Sequence, residues 1–173
     1  DVLGSRGLGD VYKRQLFMCP CCKKIGGLKS QGNTLSCTCG ARMTYTEYGR
    51  LEGDGPFSTE EEWDRWQEAE LRKMAAEAGE TPIFQDASVT LTQLDNKNQV
   101  IYQHTGPASF SATTLYVGGR ALPAADISDM SIYGRNTIVC TCGDDYYEVK
   151  GDKTFCGRKY DQLYRILRED PQP

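Results

Sequence analysis

The residues best suited to chemistry are cysteines. Cys19 and Cys22 form a Cys-x-x-Cys knuckle spacing; fourteen residues intervene before Cys37-Thr38-Cys39, which Gly40 follows. Two short-spaced thiol pairs are the donor set of a structural zinc site, because Zn2+ takes four soft ligands in a tetrahedron and four cysteines are a common set. Four thiolates leave no open coordination position, so the expected role is structural and not catalytic. Gly40 allows the backbone to turn around the ion with its amides facing sulfur. The second pair is Cys-x-Cys, one residue shorter than the usual knuckle, which tightens that turn. Cys21 stands beside Cys22 and is the alternative ligand. The expected ligands are therefore Cys19, Cys22, Cys37 and Cys39, with zinc as cofactor. Clustered cysteines of this kind favour metal binding in a reducing, cytoplasmic setting over a secreted disulfide framework.

Other reactive residue types form no constellation. Cys140 and Cys142 repeat the Cys-Thr-Cys-Gly string, with Cys156 downstream, but that makes only three thiols. Ile138, Cys140 and Cys142 share one face of a period-two strand, where cysteine behaves as a small buried hydrophobe. His104 is the only histidine, and nothing near it in sequence would orient it as a base; a solvent-facing strand position is expected. The acidic strings Asp126–Met130 and Gly143–Glu148 have no metal-ligand spacing. No catalytic residue and no cofactor-binding residue is expected in this chain.

The elements that must position these groups follow from pattern. Between the cysteine pairs, KIGGLKSQGNTLS has two glycine turns and alternating residues, as a β-ribbon requires, so residues 16–55 read as a small zinc ribbon. Residues 56–80 read as a linking amphipathic helix. Pro56 precedes it, Ser58 or Thr59 is the N-cap, Ser58-x-x-Glu61 and Thr59-x-x-Glu62 both match a capping box, and Gly79 stops it. Trp63, Trp66, Gln67, Leu71, Met74 and Ala78 recur near helical spacing, and the tryptophans read as packing anchors. Residues 81–170 read as short strands, SVTLTQL, QVIYQHT, ASFSATTLYVGG, RALPAADISDMSIYG, NTIVCTCG and DYYEVKG, separated by Asn, Asp and Gly turns. A last helix, GRKYDQLYRILRED, carries the apolar stripe Tyr160, Leu163, Tyr164 and Leu167 and ends at Pro171. The fold class is α+β: ribbon, helix, then an antiparallel curved sheet or open barrel capped by the C-terminal helix. That order resembles pleckstrin-homology-like (PH-like) or GRAM-like domains.

Charge and composition narrow the partners. The chain has 20 Lys and Arg against 24 Asp and Glu. Setting aside Arg6, Lys13 and Arg14 with Asp1 and Asp10 of the first fifteen residues leaves a net charge of −5. Nucleic-acid binding is not favoured, since its electrostatic footprint is a basic patch. Lys23, Lys24, Lys29 and Arg42 near the cysteines are few and have no aromatic platform between them. Lys150, Lys153, Arg158 and Lys159 form a small basic cluster, a candidate for lipid headgroups that is sparser than polybasic recognition requires. No stretch approaches the ~18 apolar residues of a membrane span.

The first fifteen residues stand apart. Gly7-Leu8-Gly9 has neither the third glycine of a dinucleotide fingerprint nor the Gly-Lys-Ser/Thr of a phosphate loop. All eleven residues of Ser5–Gln15, SRGLGDVYKRQ, resemble a translated transposon-end sequencing adapter. Residues 1–15 are on that resemblance expected to be non-native and disordered, with the natural chain cut on its N-terminal side near Leu16.

The rest resembles the C-terminal extension of bacterial 1-acyl-glycerol-3-phosphate (lysophospholipid) acyltransferases. The match is carried by Cys19, Cys22, Cys37, Cys39, Gly40, Tyr45, Glu47, Tyr48, Gly49, Trp63, Trp66, Ile127, Ser128, Asp129 and Met130, and it covers nearly all of Leu16–Leu167. The resemblance implies an upstream catalytic domain in cis, an acyl transfer to lysophosphatidic acid at the inner face of the cell membrane, and a non-catalytic accessory role for this region. The His-x-x-x-x-Asp pair of those enzymes is absent here, Ser109 standing five positions after His104. The alternatives are a free-standing zinc-ribbon protein that binds nucleic acid or a protein complex, and a lipid-headgroup-binding PH-like module.

Overall fold

A computed structural model describes residues 15–169. The chain is α+β, with two helices and two antiparallel sheets, and it divides into two compact units, the first closing at Glu70 and the second opening at Leu71. The adapter resemblance falls almost wholly on residues 1–14, outside the described residues, and so does Pro171. Gln15 is described, and its carbonyl accepts the Gln67 Nε2 donor at 3.0 Å.

The first unit is a four-stranded meander in the order β1 (Leu28–Gln31), β2 (Thr34–Cys37), β3 (Arg42–Tyr45), β4 (Leu51–Gly53). The hairpin expected between the cysteine pairs is present. Gln31 pairs with Thr34, so Gly32-Asn33 is a two-residue loop, and Gly32 takes φ +60°. Glycine first in such a loop is the order of a II′ turn, whose twist matches the strands. At Gly53 a φ of +127° and the Arg42 carbonyl, 2.2 Å from where a Cβ would stand, exclude any side chain. Leu16, Leu28, Leu35, Ala41, Met43, Tyr45, Leu51 and Trp63 form the apolar core together with Cys19 and Cys37.

Helix α1 (Glu60–Ala78) begins at a Thr59 cap. Thr59 Oγ1 accepts the Glu62 amide at 3.2 Å, while Glu62 Oε2 accepts the Ser58 amide at 2.9 Å. The capping box is thus the Thr59/Glu62 pair, with its return bond moved one residue outward. Glu60, Glu61 and Glu62 in the first turn complement the helix dipole. Gly79, at φ +55°, supplies the left-handed residue that ends the helix. Trp63 is buried as an anchor, and Trp66 packs on Phe57 with ring centroids 5.5 Å apart.

The second unit is one seven-stranded antiparallel sheet. Its strands are β5 (Phe84–Leu94), β6 (Val100–Phe110), β7 (Thr114–Val117), β8 (Arg120–Pro123), β9 (Ile127–Tyr133), β10 (Thr137–Cys142) and β11 (Asp145–Lys150), in the order β8-β7-β6-β5-β11-β10-β9. The edge strands β8 and β9 do not pair, so the sheet is not closed into a barrel. It is strongly curved. Arg120 on β8 donates to Gln93 on β5 and to the Tyr147 hydroxyl on β11, although four strand spacings of about 4.8 Å would put β8 and β11 about 19 Å apart in a flat sheet. Arg120 also lies 3.7 Å over the Tyr102 ring. Gly118, at φ +58°, lets the β7–β8 turn close over Leu91, whose Cβ is 2.4 Å from where a Gly118 Cβ would be.

The strands differ from the pattern reading in four places. β5 starts at Phe84, not Ser88, and β6 runs through Gly106-Pro107. Ala87 and Ser88 face the single residue Pro107, a β-bulge, and proline is tolerated in a strand at such a point because no ladder bond is asked of it. The bulge also shifts side-chain parity: Phe84 is buried at an even position and Val89, Leu91 and Gln93 at odd ones. Residues 108–119 are not one strand but the end of β6, a turn held by Ser111 Oγ accepting the Thr113 and Thr114 amides, and β7. Residues 120–134 are split by a 3-10 turn at Ala124–Asp126, set by Pro123 at φ −60°.

Helix α2 (Gly157–Glu169) has its stripe buried at Tyr160, Leu163 and Tyr164, but Ile166 is buried where Leu167 was expected. Lys159 is buried too. Its Nζ is 3.0 Å from Asp86, which also accepts the Tyr160 hydroxyl. One member of the expected basic cluster is therefore spent inside the fold.

Candidate metal centre

Two tight turns present the thiols. In the first, the Cys19 amide donates to the Lys24 carbonyl at 3.1 Å and the Lys23 amide to the Cys19 carbonyl at 2.9 Å. In the second, the Cys37 amide donates to the Ala41 carbonyl and the Gly40 amide to the Cys37 carbonyl, both at 2.9 Å. The second turn is the first with one residue removed, which is how Cys-x-Cys serves where Cys-x-x-Cys is usual. In each, the residue after the second cysteine is left-handed: Lys23 at φ +61° and Gly40 at φ +97°. Lysine holds that conformation at a cost glycine would not incur.

The turns bring Cys19, Cys22, Cys37 and Cys39 together, with all four Sγ atoms within 4.8 Å of one another. Cys19 Sγ lies 3.8 Å from Cys39 Sγ, and Cys22 Sγ lies 3.6 Å from Cys37 Sγ. A tetrahedron with metal–sulfur bonds of about 2.3 Å has sulfur–sulfur edges of about 3.8 Å. The donor set and spacing thus fit a tetrahedral ion such as zinc. Cys21 is not in this group. Its thiol is exposed and contacts the Asp54 carbonyl at 3.5 Å, while its amide donates to Cys19 Sγ at 3.4 Å. Among the described residues no other three Cys, His, Asp or Glu side chains gather in this way.

Two ligands, Cys19 and Cys37, are buried, and Cys22 and Cys39 are exposed. Burial pushes the Cys19 thiol well above its usual range, although the Cys22 and Cys21 amides oppose this. Burial also disfavours a thiolate at Cys37, but the Cys39 amide and the Cys22 and Cys19 thiols outweigh it and draw that group down to about 7. Metal ligation requires thiolates, so binding an ion releases the protons these thiols carry.

The segment that leads into Cys19 is held by α1. Gln67, 1% exposed, accepts the Phe17 amide at 2.7 Å and the Met18 amide at 3.0 Å on Oε1, and Trp63 Nε1 donates to the Met18 carbonyl at 2.8 Å. The sequence put Gln67 on the helical repeat without a role; a glutamine among apolar positions was the signal. Asp54 was missed as well: its Oδ2 accepts the Arg42 amide at 2.8 Å, closing the end of β4 onto β3. Gly27 has no room for a side chain without pressing on Cys37 Sγ, 3.2 Å from its would-be Cβ.

The remaining candidates do not assemble. Cys140 and Cys142 are buried on β10, as the alternation implied, and burial pushes Cys140 up to about 12 and raises Cys142. Cys156 is half-buried ahead of α2, its thiol raised mainly by burial. His104 is exposed on β6. Lys23 pairs with Glu70 at 3.1 Å. No helix among the described residues is long and apolar enough to cross a membrane. No known protein-family model and no curated protein sequence matches the chain.

Proposed function

We propose that the first unit is a structural zinc ribbon and that the region as a whole is a non-catalytic accessory module of a lysophosphatidic acid acyltransferase of phospholipid synthesis. The observation that carries the zinc reading is the closure of four cysteine sulfurs to within 4.8 Å of one another. The ion would cross-link the two turns, and Cys19, Cys22, Cys37 and Cys39 would fill its coordination sphere. A unit this small buries little apolar area, so the metal contributes directly to its folding. A four-strand and a three-strand meander joined edge to edge through β5 and β11, followed by one helix, support a PH-like reading of the second unit. The acyltransferase reading rests on the residues that carry the resemblance, Cys19 through Met130, and places the region at the cytoplasmic face of the membrane through its catalytic partner in cis.

Two alternatives lose ground on particular contacts. Lipid-headgroup binding through Lys150, Lys153, Arg158 and Lys159 is weakened because Lys159 is buried against Asp86. Nucleic-acid binding by the ribbon is weakened because Lys23 is committed to Glu70. The accessory reading is tested by sequencing the natural gene on the 5′ side of the Leu16 codon. It predicts an acyltransferase domain with a His-x-x-x-x-Asp motif in frame; an initiator codon close to Leu16 would contradict it.

A further inference from the structure

The face of the second sheet turned away from α2 carries an open groove of about 720 Å³. Directly paired residues share a face of a sheet. Leu94 pairs with Val100 and with Tyr146, Val139 with Glu148, and Thr137 with Tyr133, so these side chains lie side by side across β6, β5, β11, β10 and β9. Val100 is 58% exposed, Tyr133 69% and Tyr146 37%. Large exposed apolar groups gathered on one surface mark a place where something binds. Asp95 and Glu148 line the groove and no basic side chain does. Asp129 adjoins it through Thr141, which faces Tyr146; Lys150 stands on the same face, in the row of Thr137 and Tyr133. Asp95 caps its own turn by accepting the Lys97 and Gln99 amides, whereas Glu148 makes no ion pair among the described residues.

We propose that this groove binds a basic segment of a partner protein in extended conformation, with an arginine or lysine side chain laid over Tyr146 and against Glu148. Tyrosine faces attract such cations, and the carboxylate supplies the opposing charge. Measured along the sheet, the lining from β5 to β9 covers three strand spacings, about 14 Å, which matches about four extended residues and exceeds what a small cation needs. Burial, then the charge of Glu148, raises the Tyr146 hydroxyl, in keeping with a negative field there.

The test uses the full chain and a fluorescein-labelled peptide of alternating arginine and serine, followed by anisotropy, beside the same peptide with glutamate for arginine. The arginine peptide should bind saturably and the glutamate peptide should not. Tyr146→Ala should weaken binding about fivefold and Glu148→Gln by a similar factor. Glu80→Gln, an equal charge change at an exposed site on another element, should leave it unchanged. Because Glu148→Gln is nearly isosteric, it tests the proposal even if Tyr146→Ala lowers stability. Equal weakening by Glu80→Gln, indifference to both groove variants, or displacement by spermidine as effectively as by unlabelled peptide would overturn it.

Discussion

Cys21 and Cys22 are neighbours of one residue type with opposite roles, and the reason is direction. The first turn aims Cys22 Sγ at Cys37, 3.6 Å away, and Cys21 Sγ outward at the Asp54 carbonyl. Sequence spacing alone left the choice open, because either thiol is within one residue of the knuckle pattern. Cys21→Ser should therefore keep one bound zinc per chain in the reduced protein, and Cys22→Ser should weaken binding by a hundredfold or more by order of magnitude, since a structural site gains its affinity from all four thiolates. Zinc content after dialysis against a mild chelator checks this; equal loss in both variants would make Cys21 a ligand. The buried thiols Cys140 and Cys142 are a different class. Their sulfurs are held protonated by the apolar interior, and inert structural cysteines behave this way.

At the scale of elements, α1 does more than follow the ribbon. Its first turns hold the segment that enters Cys19 through Gln67 and Trp63. Gln67→Ala would leave the Phe17 and Met18 amides buried without acceptors, at about 1–3 kcal/mol each, so the first unit should lose roughly 2–4 kcal/mol. Gln67→Glu retains an acceptor oxygen and should lose less; chemical denaturation followed by tryptophan emission measures both. The helix itself was legible because its signals are local: a Thr59 cap, three first-turn acids and a Gly79 stop. The cysteine turns were legible for the same reason. The strands were less so. A proline reads as a break, and Pro107 is accommodated only because Ala87 and Ser88 bulge on the neighbouring strand, a pairing that no window of sequence contains. The fate of Lys159 was hidden likewise, since its partner Asp86 lies 73 positions away.

For the molecule as a whole, the cysteine set organises only the first unit. The second has an apolar core of its own, with Leu91, Phe110, Leu115, Ile138, Val149 and Leu163 fully or nearly fully buried. The chain has two tryptophans, and both belong to the first unit, where Trp63 is 0% exposed in the core that includes Cys19 and Cys37. Tryptophan emission therefore reports the first unit alone. The most direct test is a zinc titration of the reduced, metal-free protein followed by that emission. A shift to shorter wavelength that saturates at about one equivalent, and that is absent from Cys37→Ser, is the predicted result. Emission already blue-shifted without metal and unchanged by zinc, or an equal response from Cys37→Ser, would contradict the assignment of Cys19, Cys22, Cys37 and Cys39 as a structural zinc site.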